Sequence, residues 1–513
     1  MSSEIRLRNA NNKILTLKTN DIINTDKEIY YVNTIDELEK LNNIKDKALC
    51  HVADENRGGT FIFDYSKKDI NDSGITFNGW VRQYSGAVNI RWFNTFEDGI
   101  GDDAIAINKA IAVATDIYIP RGTFTIKSTI NCNKALSLRG ASSKPYEYAI
   151  GTILITKDIS LVTISSSGVK ISNLTLLNNG DTFFNYAIGT NISGKAWNIA
   201  IRDIVIRGKF YTAVDMSNTW NLTINNVRVE GGGHKVGFEI DHGTSAILTS
   251  CLSYGASDVG FKVHNMFYSS LISCGCDGGN KGLLLAGDTR GLSIGNFGCE
   301  SLNSTHIKIQ GGNSSITIDN PTLGANNGLV DEHLIDINGD SGSELSVTFT
   351  GLKLPSAYKP TGSGKLLNID DSVATPNVVL INPVIYDNTS DFNKCVILGG
   401  ENNNIITSGT NDNGRWVKQY DGSLICEKLT EVITVPANDE VTVEWDFPKE
   451  FITPPVVYAQ WYGDDSDDCE YFTAGIVNDH SDPSLSKITT GYRIKSSSDA
   501  DRNIRVSFLA RGH

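Results

Sequence analysis

A chain of 513 residues is too long for one ordinary domain unless it is a repeat that grows along one axis. Forty per cent hydrophobic residues, 48 glycines and only 20% charged residues describe a folded, turn-rich protein and exclude a disordered one. The net charge of −14 argues against nucleic acid and anionic membranes as partners, and nine cysteines with no CxxC pair argue against a disulfide or zinc framework. No apolar run nears the roughly 18 residues that a membrane helix needs. Met1 is followed by a polar segment with no apolar core, so no secretory signal is expected and the chain is expected to be made in a reducing cytosol.

In chain order, IRLRNANNKILTL reads as a strand-rich start and TIDELEKLNN as a short helix. The segment GDDAIAINKAIAVATDIYIPRGTFTI follows. Asp102 or Asp103 can cap a helix whose apolar face carries Ile105, Ile107, Ala110, Ile111 and Ala114. A strand, a turn at Pro120 and Gly122, and a second strand come next.

From about residue 165 the chain repeats. Leu174, Ile204, Val227, Cys251, Cys274, Phe297 and Pro321 align at steps of 30, 23, 24, 23, 23 and 24. Two residues on, a second column reads Leu176, Ile206, Val229, Ser253, Cys276, Cys299 and Leu323. One residue before the first column stand Asn173, Asp203, Asn226, Ser250, Ser273, Asn296 and Asn320. A repeat of this size made of short strands is one coil of a parallel β-solenoid. Apolar residues two apart face inward, which makes the columned cysteines small buried hydrophobes. The polar column suits tight corners, where Asn and Ser bond neighbouring backbone and can bond coil to coil. A second inward strand recurs as Val214/Met216, Phe238/Ile240, Phe261/Val263 and Leu283/Leu285. After about Gly409 the composition shifts to alternating strands, read as a small antiparallel β-sandwich. Its Trp445, Trp461, Tyr462 and Tyr471 are candidates for stacking on sugars or for the core.

Two charged columns face outward on either side of one loop. The first is Arg207, Glu230, Tyr254, Asp277 and Glu300; the second is Asp215, Glu239, Lys262, Leu284 and Lys308. Coils about 4.8 Å apart would bring neighbouring carboxylates near the separations that glycoside hydrolysis uses. Glu230, Glu239, Asp277, Glu300 and Asp215 are therefore the candidate catalytic residues, with solvated surface charge as the plain alternative. Trp197, Trp220 and Phe267 fall in one column, with Tyr268 beside it. These four, with Tyr254, His234 and Lys281, are the candidate substrate-binding residues, stacking on sugar faces or covering a seam. Nothing has metal-ligand spacing, no cofactor is expected, and the run at Asp241 and His242 reads as a turn.

The Gly-Asp-Asp helix with its Pro-x-Gly turn resembles the start of the pectate-lyase-like right-handed β-helix of bacteriophage tailspikes. The preceding RGGTFIFDYSKKDINDSGITFNGWVRQYSGAVNIRWF is similar to the segment before the helix in tailspike depolymerases, including Trp80 and Arg82 and the run from Asn89 to Trp92. The resemblance implies an all-β chain: residues 1–97 fasten to the phage tail or a neighbouring tail protein, or simply cap the helix. Residues 98–410 form the parallel β-helix, and residues 411–513 a sandwich for trimerisation and sugar binding. It also implies a homotrimer on the virion that recognises and degrades a capsular or O-antigen polysaccharide at the bacterial surface, most simply by hydrolysis. β-Elimination with Tyr254, His234, Lys235 or Lys281 as base, and a binding fibre that does not cut, are the alternatives.

Overall fold

The structure, a computed structural model, describes residues 4–8, 14–18, 28–143, 151–157, 159–324, 329–339, 344–354, 360–370, 377–385, 391, 394–398, 405–419, 423–463, 472–477, 489–496 and 501–512. The chain divides into two compact units, Met1–Ser314 with Gly324–Asn327 and Ser315–Leu323 with Gly328–His513.

In the first unit, Glu4–Arg8 and Ile14–Lys18 pair as an antiparallel hairpin. The expected short helix is Ile35–Glu39. Thr34 accepts the Glu37 amide at its start, and the Glu37 carboxylate accepts the Asn33 amide in return. That helix packs on a sheet of Ile29–Val32, Leu49–Val52, Gly59–Phe63, Trp80–Gln83 and Thr76–Phe77 through Leu38, Phe61, Phe77 and Trp80. Arg82 fastens this sheet. Its buried guanidinium donates to the carbonyls of Gly74, Gly58 and Arg57 and lies 4.6 Å from both the Phe61 and Trp92 rings. A lysine has no planar fork to make all these contacts.

The two aspartates before the helix Ala104–Val113 divide the work between them. Asp102 accepts from the Ala104 amide and from Lys127 N and Ser128 Oγ, tying the helix start to the next strand. Asp103 is buried and takes the amides of Phe96, Glu97 and Thr125. Ile107, Ala110 and Ile111 are buried as expected, but Ile105 is 48% exposed. Two positions before Ile107, it is turned about 200° round the helix axis from that residue.

Beyond this cap the chain coils in parallel register. Leu174, Ile204 and Val227 pair in turn, as do Leu176, Ile206, Val229, Ser253, Cys276 and Cys299. The corner column has one conformation throughout: Asn173, Asp203, Asn226, Ser250, Ser273 and Asn296 all have φ between 52° and 59°. Residues with short polar side chains bear this left-handed region best after glycine. Asn226 Nδ2 donates to Asp203 Oδ1 at 2.7 Å, bonding coil to coil. Inside, Phe238 stacks on Phe261 at 4.5 Å and 11°, worth about 1 kcal/mol beyond the area buried. A Cβ at Gly237, Gly260 or Gly282 would meet Ser253 Oγ, Cys276 Sγ or Cys299 Sγ at 2.3–2.6 Å, so the columns of glycine and small residues require each other. The eight described cysteines are all free thiols, seven of them buried.

The long step of 30 is absorbed at two corners. Asn178 and Phe184 pair with Gly208 and Phe210, and Gly189 and Ala196 pair with Asp215 and Thr219, so four extra residues enter before Phe184 and three before Ala196. Register is unchanged on either side.

In the second unit, parallel pairing continues between Ile335–Asn338 and Leu367–Ile369 and between Leu345–Thr350 and Asn377–Ile381. A sandwich follows. One sheet contains Gly414–Gln419, Leu424–Leu429, Arg502–Gly512 and Val456–Gly463; the other holds Glu440–Asp446, Thr489–Ser496 and Phe472–Val477. Trp445 is core, 1% exposed, with its Nε1 donating to the Asn413 carbonyl, which removes it as a sugar platform. Tyr471 and the side chains of Trp461 and Tyr462 lie outside the described residues.

Candidate functional site

Both outward columns exist in the register expected. In the first, Arg207 pairs with Glu230, Tyr254 with Asp277, and Asp277 with Glu300. Glu230 is nearly buried and held by two guanidiniums, Arg207 Nη2 and Arg228 Nε, each at 2.7 Å. Both its oxygens are engaged, which is how a structural ion pair is made. Asp277 is half-buried and Glu300 exposed, and neither has an ion-pair partner among the described residues. Tyr254 is exposed, its ring over Gly278, where a Cβ would lie 3.2 Å from it.

The second column differs in kind. Gly189, Asp215, Glu239 and Lys262 follow one another in register on parallel strands. Lys262 Nζ lies 2.8 Å from Glu239 Oε1, His264 Nε2 lies 3.3 Å from the same oxygen, and Thr212 Oγ1 is 3.3 Å from Oε2. The histidine is off the line of a good hydrogen bond, so its contact becomes an ion pair only when the ring is protonated. His264 and Lys262 together hold the Glu239 carboxyl down at about 2. Asp215 has no cation of its own. Burial first, then the charge of Glu239, pushes it up to about 6, against a weak contact from Ser217 Oγ at 3.4 Å. Two neighbouring carboxyl groups are thus driven apart, one kept ionised and one able to carry a proton near neutral pH. Thr212, Lys262 and His264 were not among the expected site residues. Lys262 was visible in the outward column, but His264 lies two positions on, after an inward valine.

The aromatic column is also in register: Trp197, Trp220, Thr244 and Phe267, then Arg290. Trp197 and Trp220 rings lie 4.4 Å apart at 61°, and Lys195 Nζ sits 3.8 Å over Trp220. Trp220, Phe267, Tyr268, His242, Lys195 and Asp288 line a groove of about 730 Å³. One of its members, Tyr268, is out of character for its corner, while His242 is of a kind that the left-handed region admits. Tyr268 has φ 48° where neighbouring coils place Asn198, Asn221, Ser245 and Gly291, and His242 has φ 50° in the column of Asn218, Asn265 and Gly287. Bulky residues in this conformation carry strain, and such strain gathers at functional sites. Tyr268 is 77% exposed.

His234 is a correction. It does not face the outer surface but is fully buried, with Nε2 3.0 Å from Ser253 Oγ, and burial lowers it to about 4. The loop position turns inward because Ser253, on the next coil, is small enough to receive the ring. Lys281 remains outside, 3.5 Å from Asp258.

No helix among the described residues is long and apolar enough to cross a membrane, and no group of three or more potential metal ligands occurs among them.

A family model described as rhamnogalacturonase A/epimerase, pectate lyase-like, matches residues 87–157. The matched residues span the capping helix and the first coils of a parallel β-helix that the chain's own strand register defines. The chain is 25% identical over 271 residues to the pre-neck appendage protein of Bacillus phage phi29, covering 48% of this chain and 30% of that one. The chain thus spans under a third of the length of the curated relatives it matches. Among solved structures it is similar to a tailspike of an Acinetobacter baumannii bacteriophage described as a capsular polysaccharide depolymerase (11% identity, 94% of this chain and 98% of that one, TM-score 0.43). It is also similar to another Acinetobacter phage tailspike (11% identity, 94% and 98%, TM-score 0.46). At these values neither structural likeness carries an argument about activity.

Proposed function

We propose that this chain is a phage tailspike that binds a bacterial surface polysaccharide and cuts it by hydrolysis at Asp215 and Glu239. The carrying observation is the in-register pair itself: two carboxyl groups one coil apart, on an outward face, whose pKa values are driven apart. Asp215 is the general acid that protonates the leaving oxygen. Glu239 stays ionised beside the developing positive charge of the sugar and acts as nucleophile, because a one-coil spacing of about 4.8 Å suits the retaining geometry. The aromatic groove holds neighbouring sugars by their C–H faces. The phage appendage relatives support the setting. An N-terminal attachment to the tail and a homotrimer complete the reading, with capsule or O-antigen as substrate.

The test is to incubate the protein with purified capsular and O-antigen polysaccharides and to size the products, with Asp215→Asn and Glu239→Gln beside the wild type. Shortening by the wild type alone supports the reading. Binding without shortening by the wild type would make it a recognition fibre, and a product absorbing in the near ultraviolet would make it a lyase. Tyr254, exposed near the Lys281 loop, is then the first base to substitute.

A further inference from the structure

We infer that the outward column carries, two to three coils before Asp215, a second sugar subsite built for an uncharged sugar; this rests on the catalytic reading of Asp215 and Glu239. Asn131 pairs with Thr163, Thr163 with Gly189 through the strand Phe184–Thr190, and Gly189 with Asp215. At about 4.8 Å per coil, Thr163 lies about 10 Å and Asn131 about 14 Å from the acid along the helix axis. One coil is close to the length of one sugar unit in an extended glycan. A chain lying along the axis with its cut bond at Asp215 therefore places later sugars there.

The place is a cleft of about 490 Å³. Its floor is the Tyr186 ring, whose hydroxyl lies 3.0 Å from Thr163 Oγ1. The ring lies across Gly189, where any Cβ would come within 2.5–2.7 Å of it, so the glycine is what lets the tyrosine lie down. Phe183, from the four-residue insertion, adds a second ring. Asn131, Ser160, Asn185 and Asn191 supply amides and a hydroxyl around the rings. Rings below and neutral donors and acceptors at the sides are what a sugar's C–H face and hydroxyls ask for.

Among the described residues the lining has no charged side chain. A carboxylated sugar desolvated there would find no counter-charge among the described lining side chains. Lys235 stays outside the lining, with its Nζ 4.6 Å from the Tyr211 ring and 5.3 Å from that of Phe183. The groove at Trp220, by contrast, is lined by Lys195, His242 and Asp288. The two grooves thus differ in that only the second presents charged side chains among its described lining.

The probe is the polymer that the wild type retains on an array of capsular and O-antigen polysaccharides, broken into size-fractionated oligosaccharides by mild acid. Binding is measured by calorimetry in the Asp215→Asn background. Tyr186→Ala and Thr163→Ala are expected to weaken the longest fragments about tenfold while thermal unfolding stays close to that of the background. Wild-type-like affinity of both variants for all fragments overturns the subsite. Asn131→Asp and Asn131→Lys are expected to change affinity alike. Opposite shifts, on the order of fivefold, would mean an acidic sugar sits there and overturn the uncharged assignment. The catalytic reading is judged apart, by polymer shortening: if Asp215→Asn and Glu239→Gln still cut, that reading fails while the affinities still decide the subsite.

Discussion

Asp215 and Glu239 stand opposite each other on adjacent parallel strands, yet one is raised to about 6 and the other lowered to about 2. The difference arises because Lys262 and His264 sit on the far side of Glu239, while Asp215 has Gly189 as its neighbour in the preceding coil. Cutting should therefore fall about tenfold per pH unit above about 6, as Asp215 loses its proton, and persist well below pH 4. Glu239→Gln and Asp215→Asn should each lower the rate about 10²–10⁴-fold, read by size-exclusion of the digested polymer. A flat profile between pH 5 and 8 would remove Asp215 from the acid role.

The same proton couples to stability. A carboxyl raised in the folded state stabilises the fold at low pH and loses that contribution as pH rises through its folded value. Asp215→Asn should thus raise the unfolding temperature at pH 8 relative to wild type and change it little at pH 4. The variant that loses activity should be the more stable one, which calorimetry at the two pH values decides.

Buried histidines act in the other direction. His234 and His306 are both fully buried and held down to about 4 by burial, and neither nitrogen of His306 has a good hydrogen-bond partner. The unfolded chain takes up their protons near 6.5, so stability is lost as pH falls from about 6.5 to 4. His306→Leu should flatten the fall in unfolding temperature between pH 6.5 and 4.5. An unchanged slope would show that the acid loss lies in the carboxylates instead.

Tyr268 offers a trade between strain and binding. Asn at its left-handed corner, as in Asn198 and Asn221, should stabilise the chain by about 1 kcal/mol and weaken polysaccharide binding. If Tyr268→Asn binds as tightly as wild type, the exposed ring plays no part in recognition.

In the C-terminal sandwich, Tyr458 and Leu509 pair across adjacent strands and are 63% and 42% exposed, with Val456 at 61% and Leu429 at 58% on the same sheet. This exposed apolar face is where the proposed trimer would close. Sedimentation should give three times the 55.8 kDa chain mass, and Tyr458→Asp with Leu509→Arg should lower it. A wild-type monomer would exclude the trimer.

The coil register was legible because period and side-chain alternation are local. Once Asn226 and Ser250 are aligned, Glu230 and Glu239 must fall outside the inward columns. What could not be read was which outward carboxylate is engaged. Glu230 is clamped by Arg228, two positions away on its own strand, and by Arg207 one coil away, whereas Asp215 has no such cation. His234 misled for the same reason: its inward turn depends on the small Ser253, nineteen residues later. Tyr186 went unnoticed because the 30-residue step blurs the alignment where it lies.

That long step has a consequence for host range. Its extra residues enter at two corners, and each corner delivers a side chain to a different groove: Phe183 to the uncharged cleft and Lys195 to the ring of Trp220. The ladder on both sides is undisturbed, so corner insertions of this length leave the coil register as it is, at a loop-closure cost that grows only slowly with length. On the proposed function, a changed bacterial coat would be met by editing a few corner residues while the coil that carries them stays as it is.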